Sequence, residues 1–416
     1  MSEVKPGLVR IGVAALGYAL AGCSGAEVSA GSEGDAINLN RCYGADCGVH
    51  AQSLSGSAVD ATSCGGVVGE LEDALLFESI AENAYSLAAY QGADGTVWAV
   101  QSVSEPLSHG PASIYLTRHS SDGALLATSD LIAIDEDDTL VNAAVDATGE
   151  ATVGIYSNYA PNADAEVQEE LTLYGFDLDL RPAGISRTFR GIATPRMVGA
   201  VGSVWLAGNA FGNAPHGTIA RITQREPDWI QTAVPTAGQG VDGLSGLTVA
   251  DDGTAAVLAR LNPKWSGEGP NVVQLGLATF DAAGKPLWTL QLPGDYTQGY
   301  SGSLGGSAQG NMVVASMTGE NGEQLFLRSV SRDGELGWAY TLDAGFGVDV
   351  EVRRDSGRAF VGTGRTLAVI DAAGESCRQF STTLATEASA ATASWDAEAE
   401  YVLVVGGPLA RYRVPE

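Results

Sequence analysis

The sequence predicts an all-β chain built by repeating one small unit, and three observations carry that prediction. The first is a recurring strand, tight turn and strand: Asp281-Ala282-Ala283-Gly284 between the apolar runs 272–279 and 286–292, with similar turns at Ser120-Ser121-Asp122-Gly123, Ser331-Arg332-Asp333-Gly334 and Asp371-Ala372-Ala373-Gly374. The second is another turn class that interleaves with it, marked by Gly95, Gly149, Gly253, Gly310 and Gly357 and, in weaker copies, by Gly202 and Ala399; successive copies lie 42 to 57 residues apart. Glycine at the last turn position suits the left-handed conformation that closes a hairpin. The third is content: between successive copies lie four apolar segments, as at 244–249, 255–261, 272–280 and 286–292. A four-stranded antiparallel sheet of this kind has two apolar faces and is not stable alone. Stacking such sheets around an axis buries both faces. Seven copies therefore predict a seven-bladed β-propeller of four-stranded antiparallel blades.

Taken in order, the chain opens with Lys5 and Arg10 and an apolar run over 11–21, too short for a bilayer-spanning helix of about 20 residues. The run ends in Leu20-Ala21-Gly22-Cys23, followed by Ser24 and Gly25. This resembles the lipobox of bacterial lipoproteins. The resemblance implies cleavage of residues 1–22 as a signal peptide and acylation of Cys23. Serine rather than aspartate at position 24 implies the outer membrane, on its periplasmic or its outer side. More than one acyl chain makes such an anchor stable.

Removing Glu3, Lys5 and Arg10 with the signal changes the formal charge from −28 to −29. A polyanion of this size is repelled by phosphate backbones, so nucleic acid is excluded as a partner. Residues 23–64 are rich in Gly, Ser and Ala and poor in large apolar groups. They are expected to form a flexible tether, because they bury too little to offset their ordering entropy. The propeller is expected over 65–416. Its last repeat offers three strands, so a segment within 67–79 is expected to add the fourth and close the ring.

Setting Cys23 aside leaves Cys42, Cys47, Cys64 and Cys377. An even number of cysteines in an exported chain suggests disulfides, and three pairings are open. A Cys42–Cys47 bond would close a small loop; a Cys64–Cys377 bond would lock the seam of the ring. Without a Cys-x-x-Cys or a nearby histidine, the same thiols do not read as a zinc site.

The stretch from Asp281 through Trp288 resembles the tryptophan-docking repeat of quinoprotein-type propellers, with a shorter copy from Asp333-Gly334 to Trp338. Cys377 stands near the tryptophan position of the repeat at Asp371, and Leu125-Leu126 stand there in the first blade, so the docking girdle is incomplete. Quinone-dependent members of that superfamily carry adjacent cysteines, which this chain lacks; no cofactor is expected.

Alternate strands run up and down a blade, so the tight turns share one face and the connections 104–112, 158–169, 211–217, 262–271 and 293–301 share the other. Long loops on a rigid scaffold are where binding residues sit. On or beside them lie Tyr156, Tyr159, Phe211, His216, Trp265, Tyr296 and Tyr300. Aromatic groups there combine apolar contact with a polar handle. All but Tyr156 are the binding-face candidates.

Catalytic signatures are weak. The histidines show no metal spacing, and His119 is expected to be structural. Gly299-Tyr300-Ser301-Gly302-Ser303 fails the nucleophile-elbow pattern at its last position. Gly238-Gln239-Gly240-Val241-Asp242-Gly243 has dinucleotide-loop glycines but precedes a strand rather than a helix. Asp135-Glu136-Asp137-Asp138 could hold calcium but lacks the alternate spacing of a calcium loop. No metal is therefore assigned. The expectation is a non-catalytic binding or scaffold lipoprotein whose ligand is a protein, peptide or glycan. The alternative is a propeller hydrolase or lyase with acidic residues in the central channel.

Overall fold

The computed structural model describes residues 37–39, 42–44, 51–55, 60–82 and 84–414, apart from 93, 104–112, 131, 133–137, 146–150, 160–167, 184–185, 201, 211–215, 225, 233–240, 265–271, 295, 298–301, 319–321, 344–347, 364–365, 382–388, 394–400 and 406–407. The described residues form seven sheets and no helix. In chain order, blade 1 spans 84–128, blade 2 138–190, blade 3 193–232, blade 4 241–291, blade 5 303–343, blade 6 349–381 and blade 7 389–413. Each is an antiparallel meander from an inner to an outer strand; blade 4 runs Val241–Val249, Ala255–Lys264, Val272–Phe280, Pro286–Gln291. The seven-bladed propeller is thus the observed architecture.

Burial explains why these runs are strands. Second strands such as Val97–Val103, Met312–Thr318 and Ala359–Thr363 are buried almost throughout, because a blade sits against each of their faces. Fourth strands such as Leu336–Asp343 mix buried and exposed positions, because they lie at the rim. The apolar core is correspondingly divided into seven clusters, one between each pair of neighbouring blades. Leu171, Leu206 and Ile230 lie in the one between blades 2 and 3, and Leu403, Ala89 and Val97 in the one between blades 7 and 1. Between neighbouring inner strands a few positions leave no room for a side chain. A β-carbon on Gly246 would stand 2.5 Å from that of Leu304, and one on Gly305 2.9 Å from the Val350 carbonyl oxygen.

Ring closure follows the expectation. Glu72–Leu76 is the outermost strand of blade 7, antiparallel to Ala410–Arg413, with Leu76 opposite Ala410 and Glu72 opposite Arg413.

Upstream of that strand the structure departs from the expected tether. Ile37–Asn38 pairs in parallel with the outer strand of blade 2, Tyr43 and Gly44 bridge to Ile230 of blade 3, and Gln52–Ser55 pairs in parallel with Pro286–Gln291 of blade 4. Thr62–Ser63 continues on blade 5 and Val67–Glu70 on blade 6. From Ile37 onward the described residues of this segment form a strap around the rim. Its glycines and serines do not prevent this, since edge pairing uses backbone groups that every residue carries. Leu39, Leu54, Cys64 and Leu71 then plug the rim ends of four inter-blade cores.

The Cys64–Cys377 disulfide forms, with Cα atoms 5.2 Å apart, but not at the seam. It ties the strap, as it leaves blade 5, to the outer strand of blade 6. Cys42 is also disulfide-bonded; Cys47 and Cys23 lie outside the described residues.

Candidate functional site

The two faces of the disc are built differently. On the turn face the repeat chemistry is consumed internally. Asp281 Oδ1 accepts hydrogen bonds from the Ala283 and Lys285 amides, each at 2.9 Å, and Gly284 closes the turn at φ 82°. That turn offers the Ala282 carbonyl outward, and the Trp229 indole Nε1 of blade 3 donates to it at 3.0 Å. Trp288 does the same to Arg332 of blade 5 (3.0 Å), and Trp338 to Ala372 of blade 6 (3.3 Å). Trp288 and Trp338 each lie within a one-residue irregularity in register, where the strand twists more strongly. Elsewhere in the ring arginine replaces the indole: Arg118 donates to the Leu178 carbonyl and Arg411 to that of Ser121, each at 2.9 Å. Ion pairs cover the same face, among them Arg332 with Asp252, Arg354 with Asp251, and Arg118 with Asp94 at 2.9 Å. A hydrogen bond from the Thr254 amide, then those from the Thr254 hydroxyl and Arg332, hold Asp252 below the usual carboxylate range.

The opposite face carries the ends of the strands that flank the long connections. Tyr159 ends Ala151–Tyr159 and His216 begins His216–Thr223, so both backbone positions lie at that face. Phe211, Trp265 and Tyr300, with Asp135, Glu136 and Asp137, lie outside the described residues. Tyr296 is corrected: it is 3% exposed, packs edge-on to Phe326 at 6.0 Å, and its hydroxyl donates to the Pro293 carbonyl at 3.1 Å. Burial pushes its phenol up to about 12. Its ring closes the core between blades 4 and 5 rather than facing a ligand, because the short strand Tyr296–Thr297 folds back onto Val272 and Val273. Tyr156 is likewise buried, between blades 2 and 3.

The axis brings together residues that the sequence did not single out. Asp349 and Glu351 lie on the inner strand of blade 6 and Tyr90 on that of blade 1. Burial, followed by the nearby carboxylates of Glu351 and then Asp349, raises the Tyr90 phenol above its ordinary value, so it remains a neutral donor. The alternation Asp349-Val350-Glu351 in an inner strand was the available signal: residues two apart share one side of a strand. Among the described residues no group of three or more His, Cys, Asp or Glu forms a metal site. A cavity between blades 4 and 5, lined by Thr254, Thr279, Ser307 and Arg332, measures about 10 Å³, which is room for one water.

His119 is fully buried, its Nε2 2.9 Å from the Thr117 hydroxyl and its ring edge-on to Phe77 at 5.5 Å. Burial lowers its pKa to about 4, so it is neutral and structural at pH 7.

No protein-family model matches the chain, and no curated protein does. Solved structures do, at the level of fold. The β-propeller domain of the trilobed protease from Pyrococcus furiosus, described as having an open velcro topology, aligns over 80% of this chain and 99% of its own, with 8% identity and a TM-score of 0.46. A protein of unknown function from Dyadobacter fermentans covers 83% and 99%, at 12% identity and 0.44. The α-L-arabinofuranosidase Arb93A from Fusarium graminearum covers 83% and 98%, at 11% and 0.42.

Proposed function

We propose that the chain is a non-catalytic propeller that binds or scaffolds a protein, peptide or glycan ligand through its long-loop face, anchored in the outer membrane by acylated Cys23. The asymmetry of the faces carries this reading. On the turn face, the carbonyl oxygens at Ala282, Arg332, Ala372, Leu178 and Ser121 and the charged groups beside them are already engaged between blades. A partner would have to displace those bonds. The long-loop face brings Tyr159 and His216 to its strand ends. The Cys64–Cys377 disulfide supports export to an oxidising compartment.

Alanine at Tyr159, Phe211, Trp265 and Tyr300 together is expected to abolish capture of the ligand from an envelope extract, with the melting temperature unchanged within a few degrees. Capture that survives all four substitutions would reject this placement. Metabolic labelling with an alkyne fatty acid is expected to mark the chain, and Cys23→Ser to remove the label.

The Tyr90, Glu351 and Asp349 group favours a second reading, a hydrolase or lyase using axial carboxylates. A screen of glycosides, esters and lactones, with and without calcium, separates the two. Turnover removed by Glu351→Gln supports the enzyme; none across the screen supports the binding module.

A further inference from the structure

The strap lays a different edge on each blade it crosses. On blade 4 it shows Gln52, Ser53 and Ser55 to solvent, and on blade 5 Thr62 and Ser63. On blade 6 it shows Val67-Val68-Gly69-Glu70, exposed at every position, with the two valines 54% and 65% exposed. Leu39, Leu54 and Leu71 of the same segment are turned inward onto inter-blade cores. A rim strand that presents apolar β-branched side chains to water is a template for a further strand.

The blade holds this strand from its inner side. The Leu71 amide donates to the Ser381 carbonyl at 3.1 Å, and the Gly69 carbonyl accepts from the Ser381 hydroxyl at 3.3 Å. Backbone groups of alternate residues in a strand point to the same side, so Glu70, between those two, turns its own amide and carbonyl away from the blade. Gly65, Gly66 and Gly69 carry no side chain that would hold a second backbone off. The Cys64–Cys377 bond fixes one end of the edge and Leu71, in the core between blades 6 and 7, fixes the other. An incoming strand therefore meets an edge that is already ordered, which lowers the cost of pairing with it.

Charge selects the occupant. Glu70 is exposed on the strand itself, and Glu375 is exposed in the turn that leads into Cys377–Ser381, the strand beneath it. Asp343 is exposed at the end of the outer strand of blade 5, just past the point where Thr62–Ser63 pairs with Tyr340 and Thr341. Arg378 is half-buried, its guanidinium 5.8 Å from the centre of the Phe380 ring. A second copy of the chain would bring the same carboxylates to the edge, with a formal charge of −28, and is repelled. A segment carrying lysine or arginine is attracted. We propose that the outer edge of Val67–Glu70 is a strand-addition site for an extended basic segment of a partner protein. The segment's backbone pairs with Glu70, its apolar side chains cover Val67 and Val68, and its cationic ones face Glu70 and Glu375. Main-chain bonds supply the affinity and the alternate side chains the selection. The site lies on the rim and depends neither on the long-loop face nor on acylation of Cys23.

Titration of the full chain at low salt with the blocked peptide Thr-Lys-Val-Lys-Val-Lys-Thr, and with its counterpart in which glutamate replaces lysine, tests the proposal. The lysine peptide is expected to bind about tenfold or more tightly than the glutamate one, and to slow hydrogen exchange of the Glu70 amide. Glu70→Gln should weaken it severalfold by removing the charge, and Glu70→Pro further by removing the outward N–H. Val67→Lys combined with Val68→Lys leaves the backbone of the strand intact and should weaken it by about tenfold or more, whereas Leu126→Lys, on the rim of blade 1, should leave it unchanged. Equal affinity for the two peptides, binding of neither, or binding indifferent to the paired valine substitutions overturns the proposal. So does a Glu70 amide that already exchanges slowly in the free chain. A dimer that dissociates on the paired valine substitutions assigns the edge to a second copy and likewise overturns it.

Discussion

The rim at blades 5 and 6 and the seam between blades 7 and 1 solve the same problem, holding adjacent sheets together, by different means. At blades 5 and 6 the ties are local and redundant. Trp338 docks on the Ala372 carbonyl, Tyr340 donates to Gly374 at 2.8 Å, and the Cys64–Cys377 bond fixes the strap across the gap. At the seam no covalent bond is found among the described residues. Closure there rests on Leu76 and Leu75 pairing with Ala410 and Arg411, on Arg411 reaching the Ser121 carbonyl, and on Phe77 packed against His119. A disulfide is most needed where the strands that close the ring meet. The N-terminal strand instead closes the ring by completing the sheet of blade 7, and the bond secures the strap that delivers that strand.

Four measurements break or sharpen this contrast, in decreasing order of expected effect. Trp288→Ala removes a nearly buried indole and its bond to Arg332, and is expected to cost about 3–5 kcal/mol in denaturant unfolding. Cys64→Ser opens a crosslink spanning 313 residues of sequence and is expected to cost about 2–5 kcal/mol, with Cys377→Ser no worse alone or combined. Exchange should quicken at Thr62–Ser63 and Val67–Glu70 but not at Ala410–Arg413; quickening at both would make the bond a seam lock after all.

The third concerns His119. An unfolded chain protonates this imidazole near 6.5, whereas the folded chain resists until about 4. The folded protein therefore binds fewer protons in that window, and stability falls as pH drops from 6.5 towards 4, by roughly 3 kcal/mol at most. His119→Gln should flatten the fall in melting temperature between pH 7 and 4.5, while Trp288→Ala leaves its slope intact. Smallest is Asp252→Asn, which breaks a half-exposed ion pair with Arg332 and is expected to cost under about 1 kcal/mol at low salt.

Blades 4, 5 and 6 were readable because their third-to-fourth turns close on Gly284, Gly334 and Gly374, all at positive φ. In blades 2 and 3 the corresponding left-handed residues are Leu180 (φ 60°) and Gln224 (φ 49°), held there by the surrounding strands, so no glycine marks the turn. That is also why Trp229 escaped notice as a docking residue: the repeat around it lacks the Asp-Gly pair, yet its indole reaches Ala282. Tyr296 was misread because a two-residue strand within a long connection turns it inward, and no periodicity can form over two residues. The axial group of Tyr90, Asp349 and Glu351 joins blades far apart in the chain, a proximity that only closure of the ring creates.

The order of apolar runs and turn residues determined by itself that there would be seven sheets and that a segment before residue 80 would complete the last, because each sheet's two apolar faces admit few other arrangements. Which edges the glycine- and serine-rich segment covers, and where the cystine falls, was decided only by the assembled ring. Edge pairing is a transaction between backbones, and its partners become neighbours only after the blades have packed.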